Sequence, residues 1–499
     1  MEIFSALLLG LDQAVMPVNL LWCFVGVLLG TLVGVLPGLG PAATMAILLP
    51  FTMGLQPVTA LIMLAGIYYG AQYGGSTTAI LLNLPGETSS VVTAIDGYKM
   101  ARKGRAGVAL ATAAIGSFFA GTVATLLLAL FAPSLAEVGL KFGPAENFSL
   151  MVLGLLASVV LARGSLPKAL AMVFVGILIG LVGQDVQTAE PRFTLGLDEM
   201  TGGINFVVVA MGLFGIGEVV KDLEHAESRS AISAPFLSMF PSREDWRRMV
   251  PSILRGTGIG TVLGLLPGGG ALLAAFAAYA IEKRVAKPKE GFGNGAIEGV
   301  AAPESANNAG AQTSFVPLLT LGLPANAVMA LMFGALIMQG IAPGPTLISD
   351  HPKVFWGVIV SMWVGNLMLL VLNLPLIGIW TKLLTLPFRY LYPAILIFCA
   401  IGTLSLNNSV FDLWLLAAFS IAGYIFVKLD CDAAPLVMGL LLGPMMEENF
   451  RRAMFLSRGK VSIFVDRPIS AGLLIVAVLV LILVIMPRFR ATREEAFQE

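Results

Sequence analysis

Two clusters of small polar residues lie in stretches of the chain that carry no charge. Neither stretch, Gln13 to Gly86 or Ser305 to Ser349, contains an aspartate, glutamate, lysine or arginine. The clusters consist of Gly75, Ser76, Thr77, Thr78 and Asn83, and of Asn307, Asn308, Gln312, Thr313 and Ser314. Hydroxyls, amides and backbone N–H groups can replace the water around a small anion. Both clusters are candidate binding sites; the alternative is that each side chain bonds to its own helix or to a neighbour.

Interrupted helices supply the second set of candidate residues. Residues 30–40 read GTLVGVLPGLG, and residues 260–270 read GTVLGLLPGGG. Proline removes a backbone donor and clashes with the preceding turn, so each apolar run must break there. A break at membrane depth is buried in protein or lines a watery cavity, where the next half-helix offers N–H groups to an anion. The candidate substrate- and ion-binding residues are Pro37, Gly38, Leu39, Gly40, Pro267, Gly268, Gly269 and Gly270.

Four carboxylates flank these motifs, namely Glu87, Asp96, Glu298 and Glu304. A carboxylate near membrane depth predicts an ion or a proton as its partner. Placement at the membrane interface is the alternative for each of them. A coupled sodium ion would need carbonyl and hydroxyl oxygens from the helix breaks.

The residues argue against an enzyme and against a resident metal. The two histidines, His225 and His351, lie in polar segments, and no serine–histidine or paired-aspartate arrangement occurs. The three cysteines, Cys23, Cys399 and Cys431, are far apart and form no CxxC motif. No strand is expected before the GLG at 38–40, and no P-loop lysine follows it. We predict no catalytic residue, no metal site and no cofactor.

The two proline–glycine motifs belong to an internal duplication. Seven of eleven positions are identical between residues 30–40 and 260–270, at an offset of 230. A second pair, LNLPG at 82–86 and LGLPA at 321–325, follows at an offset of 239. Close packing or a kink would explain one isolated proline–glycine. Paired interrupted segments in the two halves of a chain are typical of a transporter's substrate site.

Composition places these motifs in a membrane. Of the 499 residues, 57% are hydrophobic and 12% are charged. Apolar runs long enough to cross a bilayer recur along the chain, which predicts an all-α polytopic membrane protein of roughly 12 transmembrane helices plus re-entrant or broken helices. The formal net charge is zero, with 30 basic and 30 acidic residues scattered through short loops. Nucleic acid is therefore not an expected partner.

Lysine and arginine favour cytoplasmic loops, and this bias predicts the orientation of the chain. Segment 99–105 is basic and is predicted inside, whereas segments 137–146 and 185–199 are acidic and are predicted outside. The basic segment 447–467 does not fit this alternation, which a re-entrant run at 433–446 would explain. The first 98 residues contain no lysine or arginine, so a cleavable signal peptide is not expected.

The same charges divide the chain into two units. We predict a first membrane repeat at residues 1–220, a cytoplasmic linker at 221–248 and a second membrane repeat at 249–499. Because the first unit starts outside and the second follows a cytoplasmic linker, the two repeats should have inverted topology.

The motifs together resemble the large membrane subunit of the bacterial tripartite tricarboxylate transporters, over nearly the whole chain. The resemblance rests on VLPGLGP at 35–41, YGGST at 73–77, LNLPG at 82–86, DGY at 96–98 and LPGGG at 266–270. It implies two partners, a small four-helix membrane subunit and a periplasmic solute-binding protein. It also implies that this chain lies in the bacterial inner membrane. It also implies cation-coupled import of an organic carboxylate. At Ala325 the family usually has glycine, which affects how closely the backbone approaches the ligand.

The leading hypothesis is a secondary transporter whose two breaks meet near the midplane of the membrane. The polar clusters would complete a site for a tri- or dicarboxylate, citrate being one such acid, with sodium or a proton as the coupling cation. A passive anion channel would also use broken helices and polar filters. A scaffold subunit of a transport complex is the other alternative.

Overall fold

The computed structural model describes residues 3–36, 40–84, 86–162, 165–185, 188–217, 220, 236–266, 270–286, 291–383 and 391–485. Within these ranges the chain is almost entirely helical, as predicted for an all-α protein. The sheet found there is a single antiparallel pairing of β1 (Gly183–Gln184) with β2 (Pro191–Arg192).

The helices of the first half differ widely in length, from five residues in α9 to 34 residues in α6. Before residue 221 the described helices are α1 (Ile3–Ala14), α2 (Pro17–Val35), α3 (Pro41–Leu48), α4 (Pro57–Leu82), α5 (Val91–Met100), α6 (Ala106–Gly139), α7 (Pro144–Leu161), α8 (Leu166–Gly180) and α9 (Phe206–Ala210). A 3₁₀ turn extends α3 to Gly54, and π turns join α5 to α6 and extend α9 to Ile216.

The second half repeats this mixture of long and interrupted helices. After residue 235 the described helices are α10 (Arg243–Gly264), α11 (Gly270–Val285), α12 (Glu298–Thr313), α13 (Phe315–Leu321), α14 (Ala327–Met338), α15 (Leu347–Asp350), α16 (Pro352–Asn373), α17 (Ile377–Leu383), α18 (Leu391–Asn407), α19 (Val410–Lys428), α20 (Ala433–Leu456), α21 (Ile463–Asp466) and α22 (Pro468–Ile485).

Helix length and composition identify a multi-pass membrane protein. Four helical stretches of the described chain are long and apolar enough to cross a bilayer: Pro17–Val35, Thr88–Gly139, Pro352–Asn373 and Val410–Lys428. Further apolar helices, such as α1, α8 and α14, are shorter. The figure of about twelve crossings stays a prediction.

Two helices form the centre of the molecule. Residues 58–81 of α4 and all residues of α12 are buried. A helix that is buried on every side has to be packed by neighbours around its whole circumference. The neighbours of α12 are α10, α11, α6, α5 and α4. Polar side chains on α4 and α12 are consequently enclosed by protein.

Glycine stripes fix α2 against α4 and α10 against α12. A Cβ atom on these glycines would overlap backbone carbonyl oxygens of the neighbouring helix, so only glycine allows this separation. In both pairs the residue numbers rise together along the contact, which means that the paired helices run parallel. The contacts are Gly26 with Met63, Gly30 with Ile67 and Gly34 with Ala71, and Gly256 with Ala302, Gly260 with Ala306 and Gly264 with Gly310.

Helices α10 and α11 form the two arms of an antiparallel pair on either side of the second break. Gly310 of α12 lies against Gly270 at the start of α11, whereas Tyr279, further along α11, bonds to Asp96 beside Gly299. Helix α11 therefore runs antiparallel to α12, and α10 runs parallel to it. The two arms are joined near their base by the Arg255–Glu282 ion pair at 2.5 Å.

Helices α4 and α12 run in opposite directions. The Tyr68 ring lies 6.2 Å from the Phe315 ring between centroids, and Ser76 contacts Glu304. Residue numbers therefore rise along α4 as they fall along α12 and α13. Helix α4 is parallel to α2 and α12 is parallel to α10, so these two helix pairs are opposed, an arrangement that is compatible with inverted repeats. Duplication at the predicted boundaries stays a prediction.

Left-handed residues end the helices that precede the two LxLP motifs. Asn83 closes α4 with φ of +57°, and Gly322 closes α13 with φ of +68°, at the same offset of 239 as the LxLP motifs. Asparagine tolerates this conformation better than other residues with a Cβ atom, and glycine adopts it freely. Asn83 is thus explained by backbone geometry, and its side chain is exposed at the helix end.

Substitution of Asn83 tests whether this residue is needed for its left-handed backbone conformation. We expect Asn83→Gly to retain wild-type thermal stability, because glycine adopts the left-handed conformation. The Asn83→Val variant should lose about 1–2 kcal/mol of stability, since a β-branched residue is strained there. Thermal unfolding of the purified variants measures this difference, and equal melting temperatures for glycine and valine would contradict it.

The basic segment 447–467 lies at the end of the bundle that was predicted outside. Helix α20 is continuous from Ala433 to Leu456 and runs parallel to α8, so residues 433–446 do not turn back as a re-entrant run would. Arginines of this segment are paired with acids: Arg451 with Asp185 at 3.0 Å and Arg467 with Glu146 at 2.5 Å. These pairs explain a basic segment at that end, because paired acids offset its charge.

The predicted linker at 221–248 is described only in part. Residues 221–235 lie outside the described residues, and Arg243–Arg248 already belong to α10. Ser242 caps α10, and its Oγ accepts from the backbone N–H of Asp245 at 3.2 Å. Arg105, at the start of α6, pairs with Asp245 at 2.5 Å and so joins the two halves at this end.

Candidate functional site

The described ends of the two breaks lie beside the central helices. Gly40 is the extended N-cap residue of α3, and Gly270 opens α11 with φ of +52°. A Cβ atom at Gly270 would lie 3.2 Å from the side-chain amide of Asn326, so glycine provides both the positive φ and the close approach. Outside the described residues lie Pro37, Gly38, Leu39, Pro267, Gly268 and Gly269. The expectation that the breaks meet near the midplane stays a prediction.

Thr78 and Gly75 shape the backbone around the first break. Thr78 is fully buried, and its Oγ1 donates to the carbonyl oxygen of Val35 at 2.7 Å. That carbonyl is one of those a helix C-terminus leaves unpaired. A Cβ atom on Gly75 would lie 3.0 Å from the Cβ atom of Glu87, so glycine lets the segment after α4 return closely. Both residues act through the backbone that they position.

Ser76 brings α4 into contact with a buried carboxylate of α12. Its Oγ lies 2.5 Å from Oε2 of Glu304 and also donates to the carbonyl oxygen of Gln72 at 3.1 Å. Thr93, on α5, forms a hydrogen bond with Oε1 of Glu304. Glu304 is 0% exposed and has no ion-pair partner among the described residues. A carboxylate in this position links three helices from both halves.

Asn307 and Asn308 extend this polar region along α12. Asn308 donates from Nδ2 to Ser117 Oγ on α6 at 2.7 Å and to Asn307 Oδ1 at 3.1 Å. Asn307 is 0% exposed, and its Nδ2 has no hydrogen-bond partner within the described ranges. Residues 304 and 307 share the helix face that meets α4. An unpaired buried donor is costly, and an anionic ligand would satisfy it.

The far end of the second cluster lies near the second break. Oγ1 of Thr313 and Oγ of Ser314 donate to carbonyls four residues earlier, so both bond to their own chain. Gln312 is buried, and its Oε1 lacks a partner in the part of the chain that the structure describes. Next to Ser314, the Tyr68 hydroxyl accepts from the amide of Asn326 at 3.2 Å.

Thr77 faces a small cavity between α4, α6 and the end of α16. The cavity has a volume of about 10 Å³, which is room for the centre of one water molecule. Its polar lining combines hydroxyls and an amide whose Oδ1 is without a partner among described atoms. The lining residues are Tyr73, Ser76, Thr77, Leu110, Ala113, Ala114, Ser117 and Asn373.

Asp96 and Glu298 have structural partners. Asp96 is fully buried and accepts from Tyr279 Oη at 2.9 Å and from the backbone N–H groups of Gly295 and Ala296 at 2.7 and 3.0 Å. It therefore anchors the start of α12 to α5. Glu298 accepts from Arg248 through both oxygens, each at 2.7 Å. Both carboxylates are accounted for without a transported ion.

Removal of the Asp96 carboxylate should lower stability. Asp96→Ala leaves the buried backbone N–H of Ala296 and the partly buried N–H of Gly295 without this acceptor. Each buried group left unsatisfied costs about 1–3 kcal/mol. Tyr279→Phe removes a single hydrogen bond and is expected to cost about 1 kcal/mol. Melting temperatures of the purified proteins test this order, and an Asp96→Ala variant at least as stable as Tyr279→Phe would refute it.

The contacts of Glu304 were not predicted from the sequence. Its partners Ser76 and Thr93 are 228 and 211 residues away, and spacing along the chain carries no signal of such pairs. A local signal existed, since Glu304, Asn307 and Asn308 stand at i, i+3 and i+4 of one helix. That spacing predicts a shared face. Among the described residues, no group of three histidine, cysteine, aspartate or glutamate side chains is placed to hold a metal.

Comparison with known proteins finds a family and related proteins that this chain resembles. Residues 20–438 match the model of the "Tripartite tricarboxylate transporter TctA family". The chain is 58% identical over 499 residues to an Agrobacterium vitis protein described as "Uncharacterized 52.8 kDa protein in TAR-I ttuC' 3'region", covering 100% of this chain and 99% of that protein. It is 55% identical over 240 residues to "Uncharacterized protein in TAR-II ttuC' 3'region" of the same organism, covering 48% of this chain and 99% of that protein. No solved structure matches.

Proposed function

Because the chain belongs to the tripartite tricarboxylate transporter TctA family, we propose that it is the membrane subunit of a cation-coupled secondary transporter that imports an organic carboxylate. The observation that carries this proposal is the polar region where the antiparallel helices α4 and α12 meet. Ser76, Glu304 and Asn307 lie there, all of them buried. In secondary transporters, sites between opposed halves are the common location of substrate and coupling ion.

The chemistry of this region suits a carboxylate. Asn307 Nδ2 is a buried donor without a partner among the described residues. Neutral donors replace the hydration of an anion and still allow release, whereas a lysine or arginine would hold it more strongly. No described arginine or lysine forms an ion pair with Glu304, the carboxylate of this region. A transport assay decides how many carboxylate groups the acid has. Citrate, succinate and benzoate represent acids with three, two and one.

Coupling and partners complete the proposal. Sodium or a proton drives import, a small four-helix membrane subunit completes the membrane complex, and a periplasmic solute-binding protein delivers the acid. The complex resides in the bacterial inner membrane, and the chain acts as a carrier without catalysis. Family membership supports this assembly.

Uptake by reconstituted vesicles tests the proposal. The vesicles contain this chain with its small subunit, and the binding protein is added outside with radiolabelled citrate, succinate or benzoate. We expect one acid to enter only when both the binding protein and an imposed sodium or proton gradient are present. Gradient-independent flux of an acid would favour an anion channel, and absence of flux in a folded complex would favour a scaffold subunit.

A further inference from the structure

We propose that the coupling cation is a proton and that Glu304 carries it. This inference rests on the proposed function, namely coupled import of a carboxylate. Glu304 is 0% exposed and lies one helical turn from Asn307, whose Nδ2 has no partner among the described residues. The proton would bind one carboxylate oxygen when the site is open to the periplasm and leave when the site is open to the cytoplasm.

Burial without an ion pair favours a protonated Glu304. Ser76 Oγ lies 2.5 Å from Oε2 as its donor, and Thr93 donates to Oε1. Both donors are neutral hydroxyls. An ionised carboxylate enclosed by protein is costly unless a cation pairs with it, whereas a neutral acid avoids this cost.

Two arginines of α10, which packs against α12, pair with other carboxylates. Arg248 pairs with Glu298, and Arg255 pairs with Glu282 of α11. Asp96 on α5 accepts from Tyr279 of α11. Tyr73 on α4 and Glu87 after α4 also lie near Glu304.

Neutral Glu304 provides the link between proton and substrate. An ionised carboxylate one turn from Asn307 would repel an anionic acid in a low-dielectric site. A proton on Glu304 removes this repulsion, so proton and acid bind cooperatively, and by linkage each raises the affinity of the other. The cavity beside Ser76, of about 10 Å³, has room for the centre of one water molecule between α4 and α6.

Infrared difference spectroscopy of the full chain in lipid tests the protonation. We expect a carboxylic-acid carbonyl band at neutral pH that Glu304→Gln lacks. Glu298→Gln, the same change on the same helix, should keep the band, because Glu298 is ion-paired with Arg248. Identical spectra for wild type and a folded Glu304→Gln variant would overturn the proposal.

Thr93→Val keeps the test decisive if Glu304→Gln fails to fold. The variant retains the carboxylate and the side-chain shape but removes the hydroxyl that donates to Oε1. A lost donor favours the neutral acid, so the carboxylic-acid band should persist to a higher pH than in wild type. Loss of the band at the same pH in both proteins would contradict the assignment to Glu304.

Transport by the reconstituted complex separates the possible failures. With citrate, succinate or benzoate, whichever accumulates, Glu304→Gln should lose accumulation driven by a proton gradient. Glu298→Gln should keep it, because Glu298 is ion-paired with Arg248 outside this site. Sodium-driven uptake that Glu304→Gln leaves unchanged would refute the proton role and leave the proposed function standing. No uptake by wild type under any gradient would refute the proposed function, and with it the coupling role, whatever the infrared band shows.

Discussion

Replacement of Gly260 with valine is expected to remove most of the folded protein from the membrane. Helices α10 and α12 touch at this glycine, and a Cβ atom there would overlap the carbonyl oxygen of Ala306. Relief requires the two helices to separate along their whole contact, which costs about 1–3 kcal/mol or more for an overpacked site. Quantitative blotting of membranes and the melting temperature of the purified chain measure the loss.

Gly258 provides a matched control on the same helix. A Cβ atom at Gly258 would have no heavy atom within 4 Å, so Gly258→Val adds the same side chain without an overlap. We expect this variant to keep wild-type abundance. Gly30→Val should behave like Gly260→Val, because Gly30 meets the carbonyl oxygen of Ile67 in the other half. Equal abundance of Gly258→Val and Gly260→Val would show that the helices do not pack through this stripe.

Asn307→Ala is expected to abolish most of the carboxylate uptake while the protein stays folded. Asn307→Ala removes the hydrogen bond that Oδ1 accepts from Asn308 at 3.1 Å, but Asn308 keeps Ser117 as an acceptor. Asn307 Nδ2 forms no hydrogen bond with described residues, so its loss breaks none there. Loss of one donor to a charged ligand costs about 1.5–3 kcal/mol, which is roughly a tenfold to hundredfold loss of affinity. Initial uptake rates at low substrate concentration and melting temperature are measured together.

Asn366→Ala serves as the contrasting variant. The Asn366 amide is fully engaged: it accepts from Tyr73 Oη at 2.7 Å and donates to the carbonyl of Phe118 at 2.9 Å and to Thr122. Its loss should lower the melting temperature, with uptake per folded molecule nearly unchanged. Asn307→Ala with normal uptake, or with a larger stability loss than Asn366→Ala, would argue against Asn307 as a ligand-binding residue.

The fold follows from local features of the chain to a large extent. Proline and glycine at fixed offsets predicted where the apolar helices break and which segments correspond. The same offsets describe the packed glycines Gly30 and Gly260 and the left-handed residues Asn83 and Gly322. Such features are readable because sterics act within a few residues or between neighbouring helices, where small side chains leave a pattern.

The candidate site was less predictable because its contacts join distant parts of the chain. Ser76 was identified from its cluster, but its partner Glu304 was identified only as a flanking carboxylate. Thr313 and Ser314 share the composition of a polar site, yet both donate to backbone carbonyls of their own chain. Residue type does not distinguish a hydroxyl that bonds to its helix from one that meets a ligand. Only the three-dimensional arrangement makes that distinction.

The accumulation ratio of a labelled acid in vesicles tests coupled import most directly. The ratio of internal to external acid is measured at steady state, with the binding protein present and with imposed cation gradients of increasing size. Coupled import by this chain predicts a ratio that exceeds equality and rises with the gradient, and that collapses when an ionophore dissipates it. A ratio that stays at equality for every gradient, although the acid still crosses the membrane, would contradict coupled import and identify a passive channel.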